Sequence, residues 1–196
     1  MTLTELQNEV YAITNRPDMA TQTLSAVRAA TLTLHQSDYY FKDLFETGVQ
    51  FPTEDYIQQW EYISLLPRFR SLKYLRKTDV AGTDTGNFFT ILPPELLIDS
   101  YGNNLTDVVY MAGSVIQLRS STPFKYAILG CYQHPNITVA GYDSWIAREH
   151  PYAIIYAAAA RIFKQVGKDT EYNVWTRMAM EAASQLTLSN LQAQGY

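Results

Sequence analysis

The stretch Pro151-Tyr152-Ala153-Ile154-Ile155-Tyr156-Ala157-Ala158-Ala159-Ala160-Arg161-Ile162-Phe163-Lys164-Gln165-Val166-Gly167 decides how the chain is built. Pro151 stands where a first helical residue belongs, because a helix start leaves its N–H unbonded in any case. Gly167 stands where a left-handed C′ residue belongs. Between them only Arg161, Lys164 and Gln165 are strongly polar. A helix that is apolar on most sides is buried on most sides. Other helices must therefore surround it.

The sequence on either side supplies them. Downstream, Asp169 reads as an N-cap, and a helix over about Thr170 to Gln192 carries Tyr172, Trp175, Ala179, Ala182, Leu186, Ser189 and Ala193 on one stripe. Ser144 reads as the cap of a short turn ending near Glu149. At the N-terminus, Thr2-Leu3-Thr4-Glu5 has the form of a capping box. Leu3, Leu6, Val10 and Ile13 follow at spacings of three and four. Asn15-Arg16-Pro17-Asp18 breaks that helix, with Asp18 placed to cap a second one running to about Gln36, whose inner stripe is Leu24, Val27, Thr31 and Leu34. The two ends read as two helical hairpins forming a small bundle.

Residues 38–143 differ in character. Aromatics, Pro and Gly rise and the helical period fades. Val49-Gln50-Phe51, the stretch around Trp60 to Ser64, Ser71 to Arg76, and Tyr126 to Tyr132 read as strands. Val108 to Met111 and Val115 to Arg119 flank Ala112-Gly113-Ser114 as a hairpin. Pro93-Pro94-Glu95-Leu96-Leu97 reads as a short helix. The expected fold is therefore α+β and mainly helical, with residues 1–37 and 144–196 as the helical bundle and 38–143 as a β-rich insertion.

Composition narrows the function. The 196 residues carry a net charge of −4, and only 17% are charged, against roughly 25% in an ordinary soluble domain. Tyr alone numbers 15. Disorder is excluded, since it needs many charges and few aromatics. No apolar run approaches the ~18 residues of a membrane span. An acidic chain is not a strong nonspecific DNA binder. A weakly charged, tyrosine-rich surface fits burial against other chains. Cys131, the single cysteine, allows neither an internal disulfide nor a cysteine-based zinc site, and reads as a small core residue. The first residues lack the basic and apolar regions of a signal peptide, so synthesis in a reducing cytoplasm is expected.

Catalytic patterns are weak. Asp84-Thr85-Gly86 is the tripeptide of aspartic proteases, but Ala81-Gly82-Thr83 before it is flexible and polar where those enzymes have an apolar strand; a surface turn is the plainer reading. Asp143, Ser144 and His150 are triad-like residue types without a nucleophile elbow. His35, His134 and His150 lack metal-ligand spacing and read as ordinary surface or half-buried histidines. No nucleotide-binding glycine motif occurs. No cofactor, no metal and no enzymatic activity are expected. Arg68, Arg70, Lys73, Arg76 and Lys77 form the one dense cluster, interleaved with Phe69 and Tyr74. It reads either as a contact for phosphate or an acidic partner, or as a strand edge guarded by charge.

Several strings carry a resemblance. Leu6 through Ala12 with Thr14-Asn15-Arg16-Pro17-Asp18, Asp43-Leu44-Phe45, Leu66-Pro67-Arg68-Phe69-Arg70, Tyr142-Asp143-Ser144-Trp145-Ile146, Pro151-Tyr152-Ala153-Ile154-Ile155, and Gly167-Lys168-Asp169 are similar to head–tail connector (adaptor) proteins of tailed double-stranded DNA bacteriophages. The likeness covers about two thirds of the chain, mostly its ends. It implies a virion protein at the head–tail junction, made in the host cytoplasm. Such a protein forms a twelve-fold homo-oligomeric ring under the portal protein, extends the DNA channel, and offers a platform to the nozzle or tube proteins of the tail. DNA would pass through the lumen without specific binding. The family's C-terminal segments dock on the portal, which makes Leu188, Leu191 and Tyr196 the docking candidates; a disordered terminus is the rival reading for residues 192–196. The alternatives are a tail-terminator or tail-tube component and, more remotely, a dimeric aspartic-type protease using Asp84.

Overall fold

The computed structural model describes residues 1–79 and 86–193. Asp84 and Tyr196, singled out above, lie outside the described residues. The fold is α+β, with six helices and one mixed sheet among the described residues. The chain divides into a helical unit, residues 1–43 and 134–196, and a sheet unit, residues 44–133.

In the helical unit, α1 (Leu3–Thr14) begins with the capping box: Thr2 Oγ1 accepts from Glu5 N while Glu5 accepts from Thr2 N. Asn15, in the left-handed region at φ 50°, ends it. A short 3-10 turn, Pro17–Met19, leads into α2 (Ala20–Gln36). Asp18 does not cap α2, because its carboxylate is bound by Arg16 at 2.8 Å. Further on, α4 (Trp145–Glu149) is capped by Ser144, whose Oγ accepts from Ala147 N. α5 (Pro151–Gln165) follows with Pro151 in its first turn and ends before Gly167, at φ 72°. α6 (Asp169–Ala193) starts on Asp169 itself, which is therefore a first-turn residue rather than the cap. α5 touches α1, α2, α4 and α6. Its Ile154, Ile155, Ala158 and Ile162 lie in one core with Leu6, Val10, Val27, Ala30 and Leu186. Transfer of each such Ile, Leu or Val side chain from water contributes about 1.5–3 kcal/mol, so α5 is the organising element of this unit.

In the sheet unit, β1 (Leu44–Glu61) is one long strand where the sequence suggested two short ones. α3 (Tyr62–Leu65) is a single turn, followed by β2 (Phe69–Thr78), β3 (Thr90–Ile91), β4 (Val108–Ala112) and β5 (Val115–Gln133). Pro94–Leu96 forms a 3-10 turn. β4 and β5 make the expected hairpin, closed through Gly113 at φ 60°. β5 is also a single strand. Its buried positions include Ile116, Leu118, Ser120 and Phe124 in the first half, all even-numbered, and Ala127, Leu129 and Cys131 in the second, where Gly130 and Tyr132 are buried too. That change of parity comes with the register shifts opposite β1 between Gln50 and Ile57. A bulge adds a residue and bends a strand, so both halves can face one core. Sequence periodicity broke at the bulge, and each long strand therefore read as two.

β5 is the centre of the sheet. β1 pairs with it along nearly its whole length on one side, antiparallel. On the other side β2 pairs with residues 126–133 and β4 with residues 115–119, both antiparallel; β3 joins β4 in parallel.

Composition placed residues 38–43 and 134–143 in the insertion, but they belong to the helical unit. Tyr40 and Tyr142 pack in its core, Phe41 N donates to Asn190 Oδ1 at 3.1 Å, and Asn136 pairs with Asp143 through both backbone bonds.

Candidate functional site

The basic cluster does not act as one patch. Arg68 lies in the turn before β2 and is exposed, as is Lys73; Arg70 and Arg76 are half-buried. Lys77 is turned away from solvent. Its Nζ donates to Asp107 Oδ1 at 3.0 Å, Ser120 Oγ at 2.9 Å and Thr122 Oγ1 at 3.2 Å, and it sits over the Phe89 ring. Lys77 is a structural cation tying β2 to β5 and to the start of β4. Burial raises the Asp107 carboxyl, but hydrogen bonds from Ser121 and Lys77 outweigh burial and hold it down at about 2.

This lowered value sets a pH dependence. The unfolded carboxyl takes up a proton near 3.8, so between the two values the unfolded chain binds more protons than the folded one. The Asp107 contribution is fully present above about 4 and is lost as pH falls through about 2. Asp107→Asn should flatten the fall in the urea midpoint between those limits; an unchanged acid profile would count against the pairing.

Beside Lys77, three strands are clipped together by one tyrosine. Gly130 of β5 faces both Glu46 of β1 and Tyr74 of β2. The Tyr74 ring lies on Gly130 and its hydroxyl donates to the Glu46 carboxylate across the glycine. The phenol's pKa is raised, chiefly by that hydrogen bond and then by burial. A side chain at position 130 would fill the space that the ring crosses.

α6 has two apolar stripes. The inner one runs through Tyr172, Trp175, Ala182, Ala183 and Leu186. It ends on buried Asn190, whereas Ser189, assigned to that stripe from sequence, is exposed. The i+4 step from Leu186 brings Asn190 under the Phe41 N–H, whose hydrogen it accepts at 3.1 Å. The outer stripe is Met180, Leu188 and Leu191, all exposed, at spacings that keep them on one helical face. Leu188 and Leu191, expected to bind a partner, are thus on the surface of α6.

One arrangement was not legible in the sequence. His35 Nδ1 is 2.8 Å from Asp43 Oδ1, and His35 Nε2 is 2.9 Å from Ser144 Oγ. Trp145 Nε1 donates to the same Asp43 oxygen at 2.8 Å. A carboxylate on Nδ1 requires the proton there, so in the neutral ring Nε2 accepts the Ser144 hydroxyl proton. Ser144 in turn accepts from Ala147 N at 3.2 Å. Nearby, Thr31 spends its one hydroxyl proton on Val27 O, so Tyr142 is the donor in the 2.7 Å contact between their hydroxyls. The order Ser–His–Asp is that of a catalytic triad, but Ser144, His35 and Asp43 are 4%, 1% and 8% exposed. The serine oxygen is engaged in a helix cap through Ala147 N. The group is a structural lock joining α2, the 37–43 connection and α4. His35 is therefore fully buried, where sequence suggested a surface or half-buried histidine. Its place one residue after Leu34, on the stripe of Val27 and Thr31, was the available signal. His150 and Asp143 are not in this group: His150 packs edge-on to Trp145 at 6.4 Å and Asp143 pairs with Arg148 on the surface.

No helix among the described residues is long and apolar enough to cross a membrane. No known protein-family profile matches the chain, and no curated protein matches it either.

Proposed function

We propose that the chain is a non-enzymatic adaptor of a tailed-phage particle, assembling as a ring, twelve-fold as in the connector family, between portal and tail. In this reading α1–α2 and α5–α6 serve as two helical hairpins that hold each subunit together. The sheet unit and the basic residues of β2 make ring and tail contacts, and the outer stripe of α6 meets the portal. The observation that carries the proposal is the quantity of large apolar surface left in water on a weakly charged chain. Tyr56, Ile57, Leu96, Ile98 and Tyr101 are exposed on the sheet unit, and Met180, Leu188 and Leu191 on α6. Single exposed apolar residues are ordinary, but grouped ones mark interaction surfaces.

The test is co-migration of the full chain with the portal of the same particle on a sizing column, with rings counted by electron microscopy. The chain should shift to the portal's elution position. Leu188→Glu with Leu191→Glu should weaken that binding at least tenfold, which is about 1.4 kcal/mol, while leaving the thermal midpoint unchanged, since both side chains are exposed. A chain that never co-migrates with an intact portal overturns the reading. Binding to tail proteins alone would point to a tail-terminator role instead.

A further inference from the structure

The two flanks of β5 carry opposite charge. β1 contains Glu46, Glu54, Asp55 and Glu61, all exposed, and no Lys or Arg. β2 contains Arg70, Lys73, Arg76 and Lys77, with Arg68 just before it, and no Asp or Glu. Because both strands pair with residues 126–132 of β5, they lie on opposite sides of it. Among the described residues no strand pairs with the outer edge of β1. Pro52 within β1 is itself a mark of an edge, since proline has no N–H for a ladder. On β2, Arg76 bridges to Phe88 and Leu75 O accepts from Phe89 N at 2.8 Å, so the C-terminal part of that edge is covered. Residues 69–74 pair with β5 and have no strand on their outer edge among the described residues.

Lys77, at the end of β2, is held by Asp107. Glu54, Asp55 and Glu61 form no ion pair among the described residues, and Glu46 is engaged by Tyr74. An open edge of unpaired N–H and C=O groups templates pairing with another chain. Like charges disfavour β1 against β1 and β2 against β2. Only the unlike pair, β1 of one copy against β2 of another, is attractive.

We infer that the acidic edge β1 of one copy of this chain docks on the basic edge β2 of a second copy, at residues 69–74. This is a head-to-tail contact. It uses two different patches on each subunit, so it repeats from copy to copy and closes a ring when the rotation between copies allows. β1 and β2 both run antiparallel to β5. They therefore run the same way within one copy, and between copies related by the small rotation of a ring the pair is parallel. Tyr56 and Ile57, exposed on β1 beside Asp55, would be covered in the contact. The inference rests on the ring reading above and names the surface that makes the ring.

Reversing one edge at a time tests it. The variants are Arg70→Glu with Lys73→Glu on β2, Glu54→Lys with Asp55→Lys on β1, and all four changes together. Self-association of the full chain is followed by sedimentation velocity at low ionic strength up to millimolar concentration. Wild type and the four-fold variant should associate with similar affinity, and each single-edge variant at least tenfold more weakly. Added salt should weaken the wild-type contact, because exposed charges are screened. Mixing the two single-edge variants in equal amounts should restore association, since each offers the edge that the other lacks; misfolding would give no such rescue. Single-edge variants that associate like wild type overturn the inference and leave the ring reading standing through another face. A wild type that stays monomeric throughout overturns it too, and the ring reading is then decided by co-migration with the portal.

Discussion

Replacing Asp43 with alanine will cost the chain about 3 kcal/mol and lower its thermal midpoint by about 6–12 °C. Two donors depend on the lost oxygen: His35 Nδ1–H and Trp145 Nε1–H, both at 2.8 Å from Asp43 Oδ1. His35 is 1% exposed, so water cannot replace the acceptor. A buried donor left without a partner costs about 1–3 kcal/mol, more than the same hydrogen bond contributes when made. The damage spreads along the network. A histidine freed from its carboxylate no longer fixes which ring nitrogen accepts the Ser144 proton, and the α4 cap at Ala147 N loses its orientation. The loss is read from urea or thermal unfolding followed by tryptophan fluorescence, because Trp145 reports on the site directly. Asp43→Asn keeps an oxygen that accepts from both donors, so it should cost about half as much. If the alanine and asparagine variants were equally stable, the carboxylate would not be the acceptor that this geometry makes it.

Gly130→Ala should be the second most damaging single change, at about 1–3 kcal/mol. A Cβ there would stand 2.4 Å from Tyr74 Cε1 and Cζ and 2.8 Å from Cδ1. β5 is held from both sides at this residue, so the ring has to leave. Its departure breaks the hydrogen bond to Glu46 and exposes the backbone that the ring covers. Glycine gives a strand no packing and costs it chain entropy; an aromatic neighbour lying over it offsets that weakness. The sign should reverse once the ring is gone. In a Tyr74→Ala background, Gly130→Ala should be neutral or slightly stabilising, because alanine restricts the unfolded chain more than glycine does. A double-mutant cycle on urea midpoints reads this as a coupling of about 1–2 kcal/mol. Additive effects of the two changes would show that the ring does not occupy the glycine's space.

Local chemistry was legible wherever one residue type and its near neighbours suffice. The Thr2–Glu5 capping box, the Ser144 cap, Pro151 in a first turn, Gly167 past a helix end and the Gly113 hairpin all act over a few residues. Asp18 and Asp169 show the limit of that reasoning. Each has a capping side chain in a capping context, yet Arg16 holds the first and Lys164 the second. A carboxylate goes to the strongest partner within reach, and reach is a property of the folded chain. The long strands β1 and β5 were read as fragments because a bulge interrupts the two-residue period that identifies a strand.

The candidate surfaces divide in the same way. Five basic residues in ten positions are visible in any reading of the chain. That Lys77 is spent on Asp107, and that an acidic strand lies on the far side of β5, are not visible, because both depend on pairings between residues tens of positions apart. The outer stripe of α6 was named in part through Leu188 and Leu191, but its separation from the inner stripe of Trp175 and Leu186 needs to know which face meets α5. His35, Asp43 and Ser144 are separated by up to 109 positions and only the fold brings them within hydrogen-bonding distance.

By itself the sequence determined the two kinds of segment in this protein: helices at the ends, including the apolar helix at 151–165 that must be surrounded, and strands between them. Period, caps and breakers are local, and the backbone obeys them locally. Tertiary structure alone decided that the sheet unit is bounded by residues 44 and 133, that Ser144, His35 and Asp43 meet in one buried hydrogen-bonded group, and that the sheet has one acidic and one basic edge. Those facts follow from burial and strand pairing. Both depend on what packs against a residue rather than on what precedes or follows it.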